Sequence, residues 1–454
     1  MRYRWEGPGE GRGDAVAPLA TGADRRPIHR ERSAVNDTIA AEAHEHESAE
    51  LAEFRDRVRR WLAENAERRQ AVEKAENEQD GETLHALEVA KRFQAKLFDA
   101  GLAGLSWPKV YGGQGLTMEH QRVFNEEAAG YVIPTSPFII GLGMCAPTLL
   151  EYGTEEQRLR HVPKMLRGDE VWCQLFSEPG AGSDVASLQT RAVRDGDEWV
   201  VNGQKVWTSG GHYSDYGLLI ARTNVDVPKH RGITMFIVDM RSPGVTVRPL
   251  RQMTGASGFN EIFFDDVRIP AANLVGAIDE GWRAAIGTLM NERVSIGAGG
   301  GGLGRRVGGG EFDALLDLAR SAGALDDPVL RQSLASVYIE ERLLELLSER
   351  IRADVRAGKA PGPEGSIAKL CGTVLARHAA EVAEEILGAR GQAWLPGDKA
   401  AERWSRALLA APGNSIAGGT PEIMKNILGE RVLGLPKEPQ VDRDIPFRDV
   451  KVSR

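Results

Sequence analysis

Glu292 lies in Leu289-Met-Asn-Glu-Arg-Val294, and at ~100° per residue Trp282, Ala285, Leu289, Glu292 and Ile296 fall within about 80° of one another. A carboxylate on the apolar face of a helix loses water. Its pKa is expected to rise toward the operating pH, which suits it to abstract a proton. The plainer alternative is an ion pair with Arg283 or Arg293. A second group of residues lies upstream, in Phe176-Ser-Glu-Pro-Gly-Ala-Gly-Ser-Asp184 and Val201-Asn-Gly-Gln-Lys-Val-Trp-Thr-Ser209. Its glycines allow close approach of the backbone to a ligand, and Trp207, Thr208 and Ser209 offer a flat aromatic and two hydroxyls. A third group is Gly418-Gly-Thr-Pro-Glu422. There Thr420 is expected to cap a helix with Pro421 at its first position, leaving amides free to face anionic or carbonyl groups.

The elements that carry these groups follow from periodicity. Leu51, Phe54, Val58, Trp61 and Leu62 recur at helical spacing, and helical patterns continue over 84–100, 118–129, 144–152 and 155–166. After Glu170 the texture becomes Val-rich and aromatic, with strands expected over 216–222, 232–239, 245–250 and 261–267. Asn202-Gly203 predicts a type I′ turn that folds 199–207 into a hairpin. Helical patterns return at Gly281, with further helices expected over 314–321, 328–355, 365–387 and 420–433. The reading gives a disordered tail over 1–46, an all-helical domain over 47–168, a β domain over 169–278, a helical bundle over 279–437 and a tail over 438–454.

Composition bounds the function. A chain of 454 residues with 42% apolar residues is long enough for two or three domains. A net charge of −8 argues against a general nucleic-acid binder. Cys145, Cys173 and Cys371 are few and scattered, which fits a reducing, cytoplasmic setting and offers no metal cluster. No apolar run reaches membrane-spanning length. The first 40 residues lack the hydrophobic core of a signal peptide.

The two matched runs around Phe176–Asp184 and Trp207–Ser209, in this order and at this spacing, resemble the flavin-facing segment of the acyl-CoA dehydrogenases. The Gly101-Leu-Ala-Gly-Leu-Ser-Trp-Pro-Lys-Val-Tyr-Gly-Gly113 loop is also similar to one characteristic of that family, and the resemblance covers about 48–437. It implies an α+β multidomain fold: an N-terminal all-α domain, a central small antiparallel β-barrel and a C-terminal four-helix bundle. It also implies bound FAD, with Gln174, Leu175, Phe176 and Ser177 at the ring, Trp207 walling one side, and Thr208 and Ser209 at its edge. Gly182 would allow close approach, and Ser183 would face a pyrophosphate or the acyl-CoA chain. Gly388, Thr420 and Glu422 match a second flavin-contacting region.

Many family members carry a Glu base immediately before the Gly-Thr pair, and here that position is Gly418. A glycine cannot take a proton, although its N–H can still polarise a thioester oxygen. The Glu292-Arg293 pair instead matches the base position of isovaleryl- and long-chain-type members, with Arg293 near the acyl-CoA phosphates or the helix itself. The loops near 131–140 would help line the acyl pocket, and a helix-borne base fits branched or bulky chains, sterol-derived ones included. The family's Arg-x-x-Phe-Gly element is replaced by the glycine-rich stretch 297–310, where Arg305 or Arg306 remain possible phosphate ligands. The resemblance implies electron-transfer flavoprotein as acceptor and a homo- or hetero-oligomer, dimer or tetramer. Two alternatives stay open: a flavin oxidase or monooxygenase on the same fold, and a non-catalytic partner subunit of a heteromeric enzyme.

Overall fold

The computed structural model describes residues 48–68, 84–297, 311–356 and 365–451. The expected N-terminal tail, Arg305, Arg306 and most of the glycine-rich stretch lie outside these residues, as does the side chain of Arg293. The chain divides into two compact units, residues 1–53 and 54–454. In the described part of the first, the Leu51 amide donates to Ser48 Oγ as helix α1 (Ala49–Asn65) begins. All contacts below lie within the second unit.

Phe54, Val58 and Leu62 of α1 are buried at spacings of four residues, the stripe expected of a helix with one apolar face. Helices α2 (Leu84–Asp99), α3 (Met118–Ala128), α4 (Ala146–Tyr152) and α5 (Glu155–Arg167) follow. A π-turn over Gly141–Cys145 leads into α4. Helix α5 starts in a reciprocal capping box: Thr154 Oγ1 accepts from the Gln157 amide, and the Gln157 side chain accepts from the Thr154 amide. It stops at Gly168, whose φ of 84° only glycine adopts freely.

The β region is one eight-stranded sheet in the order β6-β7-β3-β2-β4-β5-β8, with β1 beside β4. Its strands are β1 (Trp172–Leu175), β2 (Arg191–Asp195), β3 (Glu198–Ser209), β4 (Tyr216–Arg222), β5 (Ile233–Asp239), β6 (Val245–Leu250), β7 (Phe259–Pro270) and β8 (Leu274–Val275). Pairing is antiparallel throughout except for β1 and β2 against β4, which are parallel. The central strands are apolar on both faces because both are covered. Leu218, Ile220, Met235 and Ile237 pack against Cys145, Ala146, Leu149, Ala284 and Ala285 of the flanking helices. Leu219, Ala221, Phe236 and Val238, one residue out of phase, pack against Trp199, Val201, Ile262 and Phe264.

The expected hairpin at Asn202-Gly203 is not there. Strand β3 runs unbroken through both residues and pairs with β7, with a bulge between Val201 and Gly203. A Cβ on Gly203 would lie 2.7 Å from the Thr190 Cα, so this glycine serves a close backbone crossing. The β2–β3 turn falls instead at Gly196, with φ of 61°.

The C-terminal helices are α6 (Gly281–Gly297), α7 (Glu311–Ser321), α8 (Pro328–Arg356), α9 (Gly365–Leu387), α10 (Ala389–Ala393), α11 (Lys399–Ile416) and α12 (Pro421–Ile427). Helix α11, which holds Pro412 inside it, was not among the expected helices. It forms because Asp398 caps it, accepting from the Ala401 amide, and because Ala401 and Trp404 join the core of α7, α8 and α9. Among the described residues no helix is long and apolar enough to cross a membrane.

Candidate active site

The two glycine-containing motifs are fastened together by a buried ion pair. Lys205, fully buried on β3, donates through Nζ to the Phe176 carbonyl at 2.9 Å and to Glu178 Oε1 at 2.8 Å. The Val206 amide donates to the Ser177 carbonyl at 2.9 Å. Glu178 also accepts from the amides of Gln189 at 2.7 Å and Thr190 at 2.9 Å. Burial alone would raise the Glu178 pKa, but the Lys205 charge and these hydrogen bonds outweigh it and hold the carboxyl below its ordinary value. Its stability contribution is therefore complete above the unfolded carboxyl pKa and is lost as pH falls through the lowered folded value. Gln174 and Leu175 lead into this junction on β1, with Leu175 fully buried. The loop thus has a fixed backbone at Phe176 and Ser177, while Gly182, Ser183 and Asp184 are exposed.

Trp207 is placed by a second bulge. The β3–β7 register shifts between Lys205 and Thr208, and Trp207 takes φ of 61°. For a residue with a Cβ that conformation costs on the order of 1–2 kcal/mol. Its consequence is that the indole turns outward and stays 61% exposed, edge-on to Phe259 at 6.1 Å. Bulges beside functional sites re-aim side chains in this way. Asn260, wholly buried, donates to the Thr208 carbonyl at 3.0 Å and fixes the strand beyond the bulge. Among the described residues Thr208 Oγ1 is buried without a hydrogen-bond partner, and Ser209 is half-buried. An exposed indole face, an unsatisfied hydroxyl and open space around Gly182 fit a flat, polar-edged ring such as an isoalloxazine.

Trp207→Gly tests this placement. Removing the strained Cβ is expected to leave thermal stability unchanged or to raise it by about 1 kcal/mol. Removing the indole is expected to speed FAD release about tenfold, the loss of roughly 1.4 kcal/mol of contact. Calorimetric melting and flavin fluorescence read the two effects. A melting temperature that falls with FAD release unchanged contradicts the reading.

The third group brings two distant positions together. Glu292 on α6 is half-buried, and a Cβ built on Gly418 would lie 3.7 Å from Glu292 Oε1. Gly418 and Gly419 have φ of 68° and 106°. Lys369 of α9 reaches into this loop, donating to the Ser415 carbonyl at 2.9 Å and to the Gly419 carbonyl. Burial pulls the Lys369 pKa down, and the nearby Glu292 charge works against that. Thr420 caps α12 as expected, accepting from the Ile423 amide at 3.3 Å, with Pro421 in the first turn. Glu422 is exposed in that turn, held below its ordinary pKa by its own backbone amide and the Thr420 hydroxyl. Gly388 is the N-cap of α10, with φ of 55°.

Sequence reasoning passed over four positioning residues: Glu178, Lys205, Asn260 and Lys369. The first two lay inside quoted motifs, and their signal was charge in otherwise glycine-rich and apolar runs. Asn260 and Lys369 had no local signal. In the 131–140 loop, Tyr131 and Phe138 are buried. Phe138 packs on Leu87, Ala90 and Val171 in the core.

The sheet thus carries an outward indole and an unsatisfied hydroxyl, and the helical regions bring a carboxylate to a glycine turn. Comparison with known proteins gives the family. Residues 48–169 match the acyl-CoA dehydrogenase N-terminal domain, 173–267 the middle domain and 279–433 the C-terminal domain. The chain is 39% identical over 391 residues to acyl-CoA dehydrogenase IpdE1 of Mycobacterium tuberculosis, covering 86% of this chain and 99% of that protein. It is 41% identical over 355 residues to acyl-CoA dehydrogenase FadE34 of the same organism, covering 78% of this chain and 47% of that one. Among solved structures, the Tcur3481-Tcur3483 steroid ACAD superposes with a TM-score of 0.72 at 30% identity, over 87% of this chain and 99% of that one. The ChsE4-ChsE5 complex of M. tuberculosis gives 0.68 at 32%, over 86% and 99%. The chain belongs to the acyl-CoA dehydrogenase family, whose members are FAD-dependent oxidoreductases acting on acyl-CoA.

Proposed function

We propose that the chain dehydrogenates an acyl-CoA thioester between its α and β carbons to the trans-2-enoyl-CoA, with Glu292 taking the α-proton. The observation that carries this reading is the meeting of Glu292 with Gly418 across two elements. The usual base position is a glycine, and the carboxylate that comes to its side is on α6. When bound, FAD would supply the hydride acceptor at N5, held by Trp207, Thr208, Ser209 and the backbone of Phe176 and Ser177. Enolate-like charge develops on the thioester oxygen as the proton leaves, and the Gly418 N–H would stabilise it. Lys369 holds the carbonyls on either side of that amide, so the donor is fixed before the ligand arrives.

The acyl group is proposed to be bulky, a branched or sterol-derived chain. Support comes from the base on the helix and from the structural relative described as a steroid ACAD. Reduced flavin would pass its electrons to an electron-transfer flavoprotein. Assembly as a homo- or hetero-oligomer fits the two-chain composition of the ChsE4-ChsE5 relative and the exposed Ile339, Leu343 and Leu346 along α8. A cytoplasmic setting is supported by Cys145 and Cys173, buried as free thiols.

Anaerobic mixing of the FAD-loaded protein with a panel of acyl-CoA thioesters tests the reading. Bleaching of the flavin absorbance by bulky thioesters at rates at least tenfold above straight-chain ones is the expected result. A protein that binds FAD but bleaches with no thioester, alone or co-expressed with related chains, contradicts it.

A further inference from the structure

The expected C-terminal tail is a docked segment. The Phe447 amide donates to the Val227 carbonyl at 2.9 Å and the Arg448 amide to the Val225 carbonyl at 3.0 Å. Pro446 bridges to Pro228, and Arg448 pairs with Asp226 at 2.9 Å. The Phe447 ring is buried 3.7 Å from the Arg222 guanidinium.

Two cations carry these contacts onward to the glycine loop. Lys229, almost fully buried, holds Asp442 Oδ2 at 2.7 Å and Asp184 Oδ2 at 2.9 Å. Arg222, also buried, donates to the carbonyls of Lys229, Ala186 and Leu188. Ser187 Oγ donates to the same Asp184 oxygen. Asp184 closes the Glu178–Asp184 motif and follows Ser183 directly. A cap built from residues 442–449 therefore reaches the chain just after Ser183, the Asp184 side chain through Lys229 and the Ala186 and Leu188 carbonyls through Arg222. Glu178 fixes the start of that loop; without the cap, its exposed end rests on an unshielded Lys229 and an open Arg222.

We propose that residues 442–449 form a strap that positions Ser183, through Lys229 and Asp184, against the pyrophosphate of a bound nucleotide. Asp442, Phe447, Lys229 and Arg222 are positioning residues in this arrangement and touch no reacting atom. The proposal rests on the reading that Ser183 meets a pyrophosphate, and both FAD and acyl-CoA carry one. Losing a charge-assisted hydrogen bond at Asp442 leaves Lys229 to Asp184 alone and lets the loop shift.

The test uses the full-length, FAD-loaded enzyme and Asp442→Asn, Asp442→Glu, Ser183→Ala, and Asp442→Asn combined with Ser183→Ala. Acyl-CoA KM, kcat and the rate of FAD release are measured with thermal melting alongside. Asp442→Asn is expected to raise one quantity about tenfold. A raised KM identifies the thioester's pyrophosphate, and faster FAD release identifies the cofactor's. The same quantity should rise in Ser183→Ala, rise no further in the double variant, and return toward wild type in Asp442→Glu, and Asp442→Asn alone should leave kcat unchanged. A chain ended after Glu438 should reproduce Asp442→Asn. If Ser183→Ala raises one quantity and Asp442→Asn moves only the melting temperature, the strap is overturned. If Ser183→Ala raises neither, the reading of Ser183 on which the strap rests is overturned.

Discussion

Glu292→Gln is expected to keep its FAD and its fold while the rate of anaerobic flavin bleaching by acyl-CoA falls about 10²–10⁴-fold, the usual contribution of a positioned general base. The amide has nearly the same shape as the carboxylate, so a loss of this size reports proton transfer and not packing. Gly418, with its φ of 68°, offers no side chain to take over. Glu292→Asp keeps the carboxylate but shortens its reach, and an intermediate rate is expected. Stopped-flow absorbance in the absence of oxygen reads all three proteins. Wild-type bleaching by Glu292→Gln contradicts the assignment.

The largest expected effect on stability is at Lys205. Lys205→Met leaves Glu178 buried, charged and without its cation, a change that costs about 3–5 kcal/mol. Against a typical total of about 5–15 kcal/mol this is a large share, and a drop in melting temperature on the order of 10 °C follows. The Phe176 carbonyl also loses its donor, so FAD retention is expected to fall in parallel. Combining Lys205→Met with Glu178→Gln removes the stranded charge and should recover much of the stability. Calorimetry on the single and double variants checks this. A double variant as unstable as the single would show that the pair is not the source of the effect.

What could be read in the sequence depended on how locally each feature was encoded. The glycine-and-hydroxyl runs and the Thr420 cap were legible because their physics sits within a few residues. The apolar face bearing Glu292 was legible for the same reason, since one helical period sets it. Asn202-Gly203 misled because the dipeptide marks any close or left-handed backbone. Here the reason for glycine at 203 is Thr190, distant along the chain and brought beside it only by the sheet. Helix α11 was not legible because its support is tertiary, from Trp404 and Ala401 in the helical core. The Lys205–Glu178 pair spans 27 residues, and the Lys229–Asp442 pair spans 213. No window along the chain reveals such partners. For that reason the C-terminal segment read as a tail although it is tied to the β region.

Glu292 is proposed to remove the α-proton. That role is tested most directly by exchange of α-deuterium from a deuterated acyl-CoA into water, followed by mass spectrometry under anaerobic conditions. The wild-type enzyme is expected to wash the label out, and Glu292→Gln to retain it while still binding FAD and thioester. Washout by Glu292→Gln at the wild-type rate would contradict the account.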